Sequence, residues 1–229
     1  MAKVKFGQII SEARGKIAGM VFSRNTYGSY IRQKVTPVNP ASAAQVNART
    51  FLVQLAQDWR DLTAAQMLQW NSQAVAFAKT NIFGDKQAPT GQNLYMSLNL
   101  NILHVGGTVI NVPPALEDAF NFTSLSAAAD VSDGTIILTF AAAIPATTSV
   151  MLFATAPMSA GKKFVKSEYR KIDTLTNADV SPADITAAYV AKFGGIGVAG
   201  QKLFVKMVPV VTLSGLKGMG IETSTIVVA

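Results

Sequence analysis

The side chains that most often do chemistry are scarce in this chain of 229 residues: one histidine (His104), no cysteine and 13 carboxylates. Without cysteine there is no thiol nucleophile, no disulfide, no thiolate-bound zinc and no iron–sulfur cluster. A single imidazole cannot build a multi-histidine metal site, and any serine-based relay would have to run through His104, at the expected end of a helix. Carboxylates come close together at Glu117-Asp118, Asp130 with Asp133, and Asp179 with Asp184, among others. None has the alternating oxygen ligands of a calcium loop. The run Gly194-Gly195-Ile196-Gly197 has neither the lysine of a phosphate loop nor GxGxxG spacing, and a helix end followed by a loop fits it better. No catalytic residue, metal site or cofactor is expected, and no enzyme.

Binding is the chemistry left, and the cations say where. The net charge is +7, and residues 1–40 hold seven cations (Lys3, Lys5, Arg14, Lys16, Arg24, Arg32, Lys34) against Glu12 alone. Residues 41–115 add one net positive charge, and residues 116–229 carry nine charges of each sign. Such asymmetry points to a basic arm meeting an acidic partner. Aromatic residues suited to base stacking are few here, so sequence-specific readout of nucleic acid is less favoured than an acidic protein surface. Arg24, Tyr30, Arg32 and Lys34 are the expected docking contacts. Lys162, Lys163, Lys166, Arg170 and Lys171 form a second basic cluster around Phe164 and Tyr169.

The elements that carry these residues follow from periodicity and turn chemistry. Lys16–Arg24 and Ser29–Thr36 read as two strands joined through Asn25-Thr26-Tyr27-Gly28, with Tyr30, Arg32 and Lys34 on one face. Such a hairpin is marginal alone and needs a partner. Asn39 before Pro40 reads as a helix start, and Ala44, Ala48, Phe51, Leu52, Leu55, Trp59 and Leu62 trace one apolar face. Thr63 with Gln66 is a capping box for a second helix with Met67, Trp70, Ala74 and Phe77 inward. The short connection folds these helices into a hairpin, with Trp59 and Trp70 near the shared corner as core anchors. Thr90 caps a third helix through Leu103, burying Leu94, Tyr95, Leu98 and Ile102.

Beyond Val112-Pro113-Pro114 the texture changes. Thr135–Phe140, Ser149–Thr155, Leu203–Val211 and Ile221–Val228 are the clearest strands, with one helix inserted after Ser181-Pro182-Ala183-Asp184 and closed by Gly194-Gly195. The expected fold is therefore α+β and multidomain. It comprises a basic arm and β-hairpin (1–40), a region of three helices (41–111), a linker (112–118) and an antiparallel β-sandwich of immunoglobulin or fibronectin III character (119–229). No signal segment or membrane span is visible.

One ordered series of residues is familiar. It runs Gly15-Lys16-Ile17-Ala18-Gly19-Met20-Val21-Phe22-Ser23-Arg24-Asn25, then Gly28-Ser29-Tyr30-Ile31-Arg32, Thr36-Pro37-Val38-Asn39-Pro40 and Gln45. Trp59, Leu62-Thr63, Gln66 and Trp70-Asn71 continue it. This resembles a group of proteins encoded by tailed bacteriophages and prophages, including crAss-like phages. It covers residues 13–110, and Phe153–Pro157, Phe164–Ser167 and Ala199–Gln201 resemble the same group's later part. Ala18 departs from the pattern, which has glycine there.

The resemblance implies a virion structural protein, assembled in the host cytoplasm, with other virion proteins and copies of itself as partners and no membrane. A head-associated role, as an auxiliary, decoration or fibre-anchoring protein, is the leading expectation. A tail or head–tail connector role is the alternative, and a nucleic-acid-binding module using the basic N-terminus is a second.

Overall fold

The computed structural model describes residues 2–7 and 10–229. Its first element is a small antiparallel sheet of four strands: β1 (Ala2–Lys3), β2 (Gly15–Ile17), β3 (Met20–Asn25) and β4 (Gly28–Gln33), in the order β1-β4-β3-β2. The turn at Asn25–Gly28 forms as its chemistry predicts. Asn25 Oδ1 accepts the Tyr27 N–H at 3.0 Å, and Gly28 takes φ of 102°, which costs a glycine little. The single strand expected over Lys16–Arg24 is instead two, folded back at Ala18-Gly19 so that Ile17 pairs with Met20. Ala18 adopts φ of 48°, a region L-residues occupy at a cost.

The helices follow: α1 (Ala43–Asp61), α2 (Ala64–Gln73) and α3 (Gly91–His104). The expected start of α1 at Asn39-Pro40 moves to Ser42, because Ala41 has a left-handed φ of 47° and no helix can run through it. At α2 the capping box closes as expected, with Thr63 Oγ1 accepting the Gln66 N–H and Gln66 Oε1 accepting the Thr63 N–H. The expected inward face of α2 continues past its end through a 3-10 turn at Ala74–Phe77. Two short strands, β5 (Lys79–Thr80) and β6 (Lys86–Gln87), precede α3, whose N-cap Thr90 accepts the Asn93 N–H at 3.2 Å. Tyr95 of α3 stands between the two tryptophans, 5.4 Å from Trp59 and 5.2 Å from Trp70 between ring centroids. Around them Leu55, Leu62, Leu94 and Leu98 close a helical core.

The C-terminal half is mostly strand. A three-stranded sheet holds β7 (Leu125–Asp130), β8 (Thr135–Phe140) and β11 (Ala183–Asp184). A four-stranded sheet holds β9 (Thr148–Ala154), β10 (Arg170–Leu175), β12 (Lys202–Val211) and β13 (Ile221–Ile226), in the order β10-β9-β12-β13. Every ladder is antiparallel, and one parallel bridge from Asp130 to Val228 stitches the two sheets at a corner. Ile136 and Leu138 from one sheet and Leu152, Val205 and Met207 from the other share one apolar core. The inserted helix α4 (Thr186–Phe193) ends at Gly194 with φ of 83° and buries Tyr189 in that core.

The residues between α3 and β7 are pinned to the helices. Buried Asn99 offers Nδ2 to the Ile110 carbonyl and accepts the Ile110 N–H, as a neighbouring strand would. Trp70 Nε1 donates to the Asn111 carbonyl at 2.9 Å, and Gln73 Nε2 to the Pro114 carbonyl at 3.2 Å. Helix α3 is in turn tied to the four-stranded sheet. Asn101 Nδ2 donates to the Gly215 carbonyl at 2.8 Å, and a Cβ on Gly215 would run into the Leu98 carbonyl.

Candidate docking surface

The N-terminal sheet contributes to neither apolar core. Register sorts its side chains, since residues directly opposite in an antiparallel ladder point to the same side. Lys16, Val21 and Arg32 form one cross-strand row, and Ser23, Tyr30 and Lys3 form the next. Met20, Phe22, Arg24 and Ile31 project from the other side. The expected contacts Tyr30 and Arg32 thus share a face, and Lys34 extends the ladder by donating its N–H to the Gly19 carbonyl at 2.8 Å. Arg24 lies on the opposite face.

Charge pairing separates these cations further. Glu12 Oε1 takes Arg14 at 2.7 Å and Arg24 at 3.7 Å, and Lys5 reaches Asp85 at 3.7 Å. Lys3 Nζ stands 5.7 Å from the centre of the Tyr27 ring. Among the described residues, Lys16, Arg32 and Lys34 have no carboxylate within ion-pair distance. They are exposed, so their donors are open to a partner. Lys16 joins the face only because the chain reverses at Ala18-Gly19, a turn that a single-strand reading of Lys16–Arg24 hides, and Lys3 joins it through the pairing of β1 with β4.

The second basic cluster does not stay together. Lys162, Lys163 and Lys166 lie exposed on the loop before β10, and Arg170 is held by the Ser167 and Tyr169 carbonyls. Lys171 turns the other way and donates to the His104 carbonyl in the last turn of α3. A cation at a helix C-terminus is favourable there. His104 is the helix-end side chain that its position predicts, with its ring edge-on to Phe51.

Among the described residues no group of three or more His, Asp or Glu side chains comes together, and no helix is long and apolar enough to cross a membrane. Compared with protein-family models, curated proteins and solved structures, the chain matches none.

Proposed function

We propose that the protein is a non-enzymatic structural component of a bacteriophage virion, bound to the head through the cationic face of its N-terminal sheet. The observation that carries this reading is a four-stranded sheet outside both cores, with Lys16, Arg32 and Lys34 unpaired on one side. The segment around β5 and β6 packs along one part of the sheet, with Asp85 and Phe83 against Lys5, and leaves Lys16, Arg32 and Lys34 exposed for a neighbour to cover. An acidic neighbouring subunit would supply the layer and the counter-charges, and the phage-like motif covering residues 13–110 favours a virion protein as that neighbour. In the same reading the two C-terminal sheets form a sandwich of immunoglobulin or fibronectin III character that projects from the particle.

The test is the double substitution Arg32→Glu/Lys34→Glu in a phage carrying the gene. Particles should lose the protein while the purified variant keeps its far-ultraviolet circular dichroism. Normal incorporation would sink the docking assignment. Retention of duplex or single-stranded DNA on filters at physiological salt, abolished by the same pair, would move the partner from protein to nucleic acid.

A further inference from the structure

A cavity of about 470 Å3 opens where the helices meet the four-stranded sheet, away from the docking face. Phe51 of α1, Leu103 of α3, and Met151 and Phe153 of β9 give it apolar walls. Three nitrogen-bearing side chains from separate parts of the chain reach the same space: His104, Lys171 and Lys217. Among the described residues no carboxylate lines it. Cavities of this size at the junction of two structural units, apolar with a few convergent polar groups, are the usual form of a small-molecule site.

The charges in it are poorly matched. Lys171 is accounted for by the His104 carbonyl, and Asp173 lies near enough to favour its charged form. Lys217 is exposed where it lines the cavity, and among the described residues no carboxylate lies within ion-pair distance of it. Desolvation pulls both lysines below the ordinary lysine range. It does the same to His104, which the two lysines then push further down. A cation beside apolar walls, with two more nitrogen-bearing side chains facing the same space and no counter-ion, is a place for one anion.

We propose that this cavity binds a small amphipathic monocarboxylate, its head between Lys217 and His104 and its apolar body among Phe51, Met151 and Phe153. A single negative charge suits the site, because only one ammonium is uncommitted and the remaining walls are mostly apolar. A phosphate dianion would bring more charge than one free ammonium matches. The site stands whether or not the particle role holds, since none of its residues belongs to the N-terminal sheet.

His104 is the chain's only histidine, so its imidazole signals in proton NMR report on the cavity without labelling. Hexanoate titrated into the full-length protein should shift those signals saturably and raise the His104 pKa by about one unit. Hexanol should leave that pKa unmoved. Lys217→Met should weaken hexanoate about tenfold or more, with unchanged circular dichroism. Absence of a saturable shift, or an equal pKa change with hexanol, would overturn the site on the unsubstituted protein alone. Undiminished hexanoate affinity in a folded Lys217→Met variant would overturn it too.

Discussion

Tyr95 shows how a side chain can be placed by its ring and left unsatisfied at its tip. The ring is fully buried between Trp59 and Trp70, while its hydroxyl has no hydrogen-bond partner among the described residues. Burial, with Asp58 nearby, pushes its pKa up to about 12, so it is a neutral phenol at any ordinary pH. An unpaired buried hydroxyl contributes nothing to offset its desolvation. Tyr95→Phe should therefore leave stability unchanged or raise it by about 1 kcal/mol in urea unfolding; a loss of that size would show a partner for the hydroxyl. Asn101 is the opposite case, a buried amide bonded to the Gly215 carbonyl. Asn101→Ala strands that acceptor and should cost about 1–3 kcal/mol in the same measurement. Both residues fall on the face of α3 that periodicity turns inward, but no local pattern says that one finds a partner 114 residues away and the other none.

At the scale of elements, the helices were legible because their ends are written in local chemistry: Thr63 with Gln66, and Thr90 ahead of Asn93. The clear strands were legible through runs of branched and aromatic residues, as in Thr135–Phe140. Strand β7 escaped because its Leu-Ser-Ala-Ala-Ala-Asp sequence has little β character, and its place comes from pairing with β8 and burial of Ala129. Strand β10 was hidden inside the basic cluster. The cavity was illegible altogether, since His104, Lys171 and Lys217 meet only when α3 docks on the sheet. That docking makes the junction acid-sensitive. His104 holds its proton less tightly folded than unfolded, so its contribution is present above its ordinary pKa of 6.5 and lost as pH falls below it. Urea midpoints should fall on acidification from pH 7.5 to 5, and His104→Gln should remove part of that fall. The N-terminal sheet belongs to no core, so a chain starting at Val35 should melt within about 4 °C of the whole protein. A fall beyond about 10 °C would make the sheet integral to the fold.

The molecule as a whole exposes 13565 Å2, against about 10,000 Å2 for a compact monomer of 24.2 kDa. The excess on this one chain is larger than the roughly 800 Å2 that each partner buries in a standard interface. Large apolar side chains lie open along it, among them Met20 and Val38, the latter 89% exposed. Sedimentation equilibrium should therefore find species heavier than 24.2 kDa at micromolar concentration; a pure monomer throughout would place all of that surface against other proteins. Between the sheet and α1 run residues 34–42, every one exposed and none in a helix or strand. Nine residues span at most about 30 Å, and Pro37 and Pro40 stiffen them. A sheet fixed to a particle would thus carry the rest of the chain on a short, stiff leash. Pulling on the body would load that leash and the ladder bonds of the sheet before it strained either apolar core, so the protein should tear from its anchor without unfolding.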